Sequence, residues 1–221
     1  MENNNEHLKV DENKDYNVDE QNKIYILGGK GVGKTTFFHL IFSGQFNSDI
    51  PESKPGIIKS NYKKGNKVFT IKDLSDDEDF NITKILKNEL EDVILIFILF
   101  SLDDKDSFEY AKTLVQFIKN NLIDNKELNI ILLGNKYDLG ENNDEAIQVK
   151  KREADKYAST MENLFYYEIS CKTSYNFATI KKLIDEIEIN DGGNEEDDDK
   201  ISEEERKKKV NDVKNSSCLL F

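Results

Sequence analysis

Apolar residues in this chain fall into short continuous runs and into runs with helical spacing, set apart by charged and amide-rich stretches. Lys23-Ile24-Tyr25-Ile26-Leu27-Gly28, Val93 to Phe100 and Leu128 to Leu133 are of the first kind. A run that is apolar at nearly every position is what a strand shows when helices cover both of its faces. The longest, Val93-Ile94-Leu95-Ile96-Phe97-Ile98-Leu99-Phe100, is far short of the ~20 residues that a membrane-spanning helix needs. Strands are therefore expected at 23–28, 93–100, 128–133 and 164–169. Residues 57–63 and 67–73 flank Lys64-Gly65-Asn66, a turn signal that predicts an antiparallel hairpin.

Helical spacing places Phe108, Ala111, Leu114, Val115 and Ile118 on one face of 105–121, with Ser107 or Asp106 suited to cap its start. It places Ile180, Leu183, Ile184 and Ile187 on one face of 174–188. Further helices are expected at 34–43, 80–90 and 144–160. Pro51 and Pro55, both prolines of the chain, fall within 44–56 and argue for a loop there. Strands alternating with helices imply an α/β fold: a mostly parallel six-stranded sheet, helices on both faces, and a ligand at the carboxyl ends of the strands.

Charge divides the chain further. Of the formal net charge of −13, residues 1–22 carry −5 and residues 189–221 carry −4, which leaves −4 for the middle. A middle segment so close to neutral is not charged like a nucleic-acid binder. Residues 1–22 lack periodicity, and 189–205 include Glu195-Glu196-Asp197-Asp198-Asp199. Both ends read as disordered arms around one domain at 23–188. The amino-terminal arm has no apolar segment of the signal-peptide kind. Two cysteines in unlike contexts, Cys171 and Cys218, exclude a disulfide framework and favour a reducing compartment.

Candidate chemistry begins directly after the first strand. Gly28-Gly29-Lys30-Gly31-Val32-Gly33-Lys34-Thr35 has the spacing G-x-x-x-x-G-K-[ST] between a strand and a helix. In that pattern the backbone N–H groups of a Gly-rich turn surround a diphosphate, and the helix start adds its positive dipole end. Residues Lys30, Gly31, Val32, Gly33, Lys34, Thr35 and Thr36 are thus candidate phosphate contacts. Lys34 is placed to reach the β- and γ-phosphates, and the Thr35 hydroxyl to ligate Mg²⁺.

Two more motifs stand at strand carboxyl ends: Gly134-Asn135-Lys136-Tyr137-Asp138-Leu139 and Ser170-Cys171-Lys172. Together with the phosphate loop they resemble the guanine-reading motifs N-K-x-D and S-A-K of the Ras superfamily of small GTPases, over residues 23–188. The resemblance implies the phosphate-loop small-GTPase fold and GTP or GDP with Mg²⁺ as ligands. It implies that Asp138 accepts from N1–H and the exocyclic amine of guanine, a pair that adenine does not present. It further implies that Asn135 and N–H groups near Cys171 serve the O6 side. The stems of Lys136 and Lys172 would cover the ring faces, with Ser170 in the same motif and Phe46 stacking edgewise on the base. The Gly56-Ile57-Ile58 and Thr173-Ser174-Tyr175-Asn176 stretches look more like the Rab branch than the Rho branch.

The switch regions depart from that pattern. The family's D-x-x-G-Q falls on Asp73-Leu74-Ser75-Asp76-Asp77. Asp73 is retained and would hold Mg²⁺ through water, whereas Asp76 replaces the Gly and Asp77 the catalytic Gln. With Gly56 aligned to the family's T-x-G, Lys54 stands where Thr completes the Mg²⁺ shell, with Ser53 beside it. Lys30 occupies a position usually held by a small residue. The expectation is a monomeric GTPase that hydrolyses GTP slowly, with Lys34 and Asp77 as catalytic residues and effector, exchange and activating proteins as partners. A pseudo-GTPase that binds nucleotide as an interaction module stays open; an ATP-using phosphate-loop kinase is disfavoured by Asp138.

The tail reads Arg206-Lys207-Lys208-Lys209 and then Ser217-Cys218-Leu219-Leu220-Phe221. That ending is a C-a-a-X signal for geranylgeranylation of Cys218, and the basic patch is a second membrane signal. The expected location is the cytoplasmic face of a membrane, in signalling or vesicle traffic.

Overall fold

The computed structural model describes residues 22–50, 56–64, 67–75, 93–121, 128–141 and 143–187. Six strands form one sheet: β1 (Lys23–Gly28), β2 (Gly56–Lys64), β3 (Lys67–Ser75), β4 (Val93–Ser101), β5 (Asn129–Asn135) and β6 (Leu164–Glu168), in the order β2-β3-β1-β4-β5-β6. Only the β2–β3 pairing is antiparallel, in a register that sets Lys64 opposite Lys67, as the turn signal implies. Among the described residues the α-helices are α1 (Lys34–Ser43), α2 (Lys105–Asn121), α3 (Lys151–Ala158) and α4 (Phe177–Asp185). The sheet is the expected mostly parallel one, with six strands.

The continuous apolar runs become central strands because both of their faces are covered. On one face Tyr25, Leu27, Ile96, Ile98 and Phe100 join Phe108, Ala111, Leu114, Val115 and Ile118 of α2 and Ala154 and Ala158 of α3 in a single buried cluster. Residues alternate across a strand, so Phe97 points the other way. There its ring meets Phe37 of α1 edge-on at 5.3 Å, and Phe37 meets Phe177 of α4 at 6.2 Å. Each fully buried aromatic of this kind contributes roughly 1.5–3 kcal/mol.

β1 pairs with β3 on one side and β4 on the other, both in parallel. The chain thus winds outward in both directions from β1, and its carboxyl end is the switch point where such sheets bind ligands. Gly28 ends the strand opposite Leu99, while Ser101 pairs with Asn135 and Gly134 with Glu168. All the motif loops leave from this one edge.

Three expectations are corrected. The cap of α2 is Asp104, whose Oδ1 accepts from the N–H groups of Asp106 and Ser107 at 3.0 and 3.2 Å. The Ser107 hydroxyl instead accepts from Ser101 N–H and donates to the Asp104 carbonyl. The helix expected at 144–160 is a 3-10 turn at Asp144–Ala146 followed by α3. Between them Ile147 and Lys150 are extended, and the Gln148 and Val149 N–H groups both donate to the Leu102 carbonyl. A backbone recruited to the end of β4 cannot also bond along a helix. The last helix starts at Phe177 rather than 174, because Ser174 and Asn176 adopt positive φ and Tyr175 bridges to Ser170. The helix expected at 80–90, the loop prolines, both arms and the tail lie outside the described residues.

Candidate functional site

The turn between β1 and α1 owes its path to three glycines. Gly28, Gly31 and Gly33 have φ of 143°, 74° and 97°, where side chains are strained. A Cβ on Gly28 would lie 2.2 Å from the Leu99 carbonyl oxygen, and one on Gly33 2.4 Å from Asn135 Nδ2. The loop is therefore pressed against β4 on one side and against the Asn135 loop on the other. Lys34 is buried at its helix start, with Nζ donating to the Gly29 carbonyl at 2.7 Å. That bond folds the ammonium back over the loop. Lys30 is exposed, and Val32 is buried.

Thr35 Oγ1 donates to Asp73 Oδ2 at 2.7 Å, which brings together two residues predicted as a metal pair from separate elements. Asp73 is fully buried, and its Oδ1 has no hydrogen-bond partner. Burial raises its carboxyl above the usual range, against the Thr35 hydrogen bond and the nearby charges of Lys34 and His39, which lower it. An orphaned buried carboxylate oxygen beside a hydroxyl suits a hard cation with few protein ligands and several waters. Among the described residues no group of three or more His, Cys, Asp or Glu could hold a metal, and Thr35 and Asp73 are the predicted ligands that they bring together.

Asn135 ties the loops together. Its Nδ2 donates to the Val32 carbonyl at 2.8 Å, and its Oδ1 accepts from Cys171 N–H at 3.1 Å. One buried amide thus joins the phosphate loop, the end of β5 and the loop after β6, across 103 and 36 residues of sequence. Each of its side-chain atoms makes a bond within the protein, and together they hold the loops in register. Burial pushes the Cys171 thiol up to about 12, against the Asn135 hydrogen bond and helped by Asp138.

Asp138 stands in the 3-10 turn Tyr137–Leu139, with an 11% exposed side chain. Ser170 Oγ donates to its Oδ1 at 2.6 Å and accepts from Thr173 N–H at 3.1 Å. Lys172 Nζ lies 3.9 Å from Oδ2. Asp138 is thereby fixed at one oxygen and turned by its partner loop. Lys136 takes a left-handed conformation (φ 67°) and pairs with Asp103 at 3.5 Å, while Asp103 also accepts a hydrogen bond from Ser101 Oγ. Asp103 belongs to this site and was not singled out in the sequence, because an acid after a strand is common and its partner is 33 positions away. Phe46 is 42% exposed in the segment after α1. Thr36 lies in the first turn of α1, half-buried. Asp76, Asp77, Ser53 and Lys54 lie outside the described residues, as does Cys218.

Comparison with known proteins agrees with this geometry. The model of the Ras family matches residues 23–188. The GTP-binding protein Rhes of Homo sapiens is 28% identical over 163 residues, covering 70% of this chain and 59% of the relative. Proteins of the same name from Mus musculus and Rattus norvegicus match to the same extent. The chain spans about three fifths of the length of these curated relatives. With the family match running from the first residue of β1 to just past the last helix, this chain belongs to the Ras family.

Proposed function

We propose that the chain is a guanine-nucleotide-binding protein that takes up GTP or GDP with Mg²⁺ and hydrolyses GTP slowly. The observation that carries this reading is Asp138. Its carboxylate is oriented by Ser170 at 2.6 Å, in a loop that Asn135 fastens to the phosphate loop. A shielded carboxylate held this way rewards a base edge with two adjacent donors, which guanine has and adenine lacks. The relatives named for GTP binding support the same ligand.

Residues divide the work by position. N–H groups of Lys30 to Thr35 and the Lys34 ammonium meet the phosphates, and Thr35 and Asp73 would hold Mg²⁺. Bound there, the ion supplies charge neutralisation at the terminal phosphates. Asp138 reads the base, Asn135 and Ser170 hold it in place, and Lys136, Lys172 and Phe46 cover the ring. Slow hydrolysis rests on the sequence: Asp76 and Asp77 stand where the family has Gly and Gln, and a carboxylate at neutral pH accepts but does not donate. A switch role in signalling or vesicle traffic and a geranylgeranyl anchor on Cys218 belong to the same proposal. They rest on family membership and the tail sequence.

The test is single-turnover hydrolysis of bound GTP beside an ordinary Ras-like GTPase with Gly and Gln in its third motif. A rate well below the control, recovered in part by Asp76→Gly with Asp77→Gln, is the expected result. A wild-type rate equal to the control overturns slow hydrolysis, and retention of no nucleotide overturns the reading as a whole.

A further inference from the structure

Tyr137 and Tyr175 come from different loops and stack face to face, with ring centroids 4.3 Å apart and planes 9° from parallel. Tyr137 sits between Lys136 and Asp138, and Tyr175 follows the Ser170-Cys171-Lys172 loop. Tyr137 packs against the rim of the core, and Tyr175 is 43% exposed. The pair therefore spans from core to surface, across the line where the two base-side loops meet.

The backbone is bent to bring the rings together. Tyr137 N–H donates to the Ile169 carbonyl at 3.1 Å, and Ser170 N–H donates to the Tyr175 carbonyl at 3.3 Å. Among the described residues five non-glycines have positive φ, and three of them adjoin the two tyrosines: Lys136 (67°), Ser174 (60°) and Asn176 (58°). Such conformations are unfavourable for residues with a Cβ and persist where surrounding contacts over-determine them. Asn176 adds one such contact by donating from Nδ2 to the Glu168 carbonyl at 3.1 Å. The nearby Tyr175 and burial, followed by Glu168, raise the Tyr137 phenol above its ordinary range, so its ring stays neutral in the stack.

We propose that Tyr137 and Tyr175 are positioning residues: their stack clamps the loop of Asp138 to the loop of Ser170–Lys172, so that the base meets an assembled site and leaves only when the loops part. This rests on the guanine-nucleotide reading above. An aromatic pair contributes enough beyond its buried area to change a rate by roughly two- to ten-fold. The stack joins the two base-side loops and includes no residue of the phosphate loop. Loosening it displaces the base-reading carboxylate and leaves the Lys34 and Thr35 contacts in place.

The experiment uses the full chain as wild type, Tyr175→Ala and Tyr175→Phe, chased with excess GDP after loading with mant-GDP or mant-IDP, whose base lacks the exocyclic amine. Tyr175→Ala is expected to speed mant-GDP release by roughly two- to ten-fold, to speed mant-IDP release less, and to be rescued by Tyr175→Phe. General destabilisation would speed both nucleotides alike. Release unchanged in Tyr175→Ala, equal acceleration of both nucleotides, or a Phe variant as fast as Ala overturns the proposal. Hydrogen exchange of segments 136–140 and 170–176 without nucleotide gives an independent reading. Faster exchange in Tyr175→Ala alone upholds the clamp even if wild type retains no mant-GDP, a result that would sink the nucleotide reading instead. Unchanged exchange overturns the clamp.

Discussion

Replacing Asn135 by Ala removes an amide that is 3% exposed and serves two loops at once. It leaves the Val32 carbonyl without the Nδ2 donor at 2.8 Å and the Cys171 N–H without the Oδ1 acceptor at 3.1 Å. A buried polar group stripped of its partner costs about 1–3 kcal/mol. Water entering so polar a site recovers part of that, so the two losses together come to roughly 2–5 kcal/mol. In a chain of this length each kcal/mol moves the midpoint by about 2–4 °C, which gives a fall in Tm of roughly 4–20 °C. Thermal unfolding followed by circular dichroism measures it, with nucleotide and Mg²⁺ fixed because bound ligand shifts the midpoint. Gly33→Ala supplies the second arm, since its Cβ would lie 2.4 Å from Asn135 Nδ2 at a φ of 97°. With Asn135 already Ala the clash is gone and only the φ strain remains. The two substitutions should therefore be non-additive by about 1–3 kcal/mol. Additivity within about 0.5 kcal/mol, or an Asn135→Ala midpoint within ~2 °C of wild type, would refute the bridging role.

Other outcomes follow from single contacts. Asp138→Asn removes a charged acceptor of the kind that contributes about 1.5–3 kcal/mol, so GDP affinity should fall by roughly ten- to a hundred-fold in a fluorescence titration, with preference over ADP falling in step. Tyr62 on β2 donates to Asp185 Oδ1 on α4 at 2.8 Å, and burial, then that hydrogen bond, push its phenol up to about 12. The unfolded chain ionises first, so this stabilisation is whole below about pH 10 and is lost as pH rises toward 12. Denaturant titrations should show Tyr62→Phe less stable by about 1 kcal/mol at neutral pH, with the gap closing across that window. In a Cys218→Ser background a thiol reagent at pH 8 should find Cys171 unreactive in the folded chain and reactive after denaturation, because it is 4% exposed and its thiol is pushed up to about 12.

Much of this was legible in the sequence because it depends on local pattern. Unbroken apolar runs gave β1, β4 and β5 to within a residue or two, and a turn signal gave the hairpin. The three motifs were legible through their order along the chain, each at a strand end, and their meeting at one edge follows from the rule that parallel strands present their carboxyl ends together. What escaped were ties between distant residues. The Leu102 carbonyl draws 148 and 149 out of a helix that their own spacing favours, and no local signal near 148 reports Leu102. Lys136 pairs with Asp103, and the Tyr137–Tyr175 stack depends on left-handed Ser174 and Asn176, where Ser in particular seldom adopts positive φ. The resemblance gives Asn135 the O6 side of the base, and no local signal reports its bonds to the Val32 carbonyl and the Cys171 N–H. A motif names a residue, but its partners name its task.

In the proposed function, loops at the carboxyl edge of one sheet hold a guanosine polyphosphate, with Asp138 choosing the base. Competition for bound mant-GDP on the purified chain, with GDP and ADP titrated in parallel in Mg²⁺, tests it most directly. Displacement by GDP at stoichiometric concentrations is expected, with ADP weaker by at least ~10⁴-fold, as for a site whose buried polar groups go unpaired with the wrong ligand. Displacement by ADP at concentrations like those of GDP would contradict it.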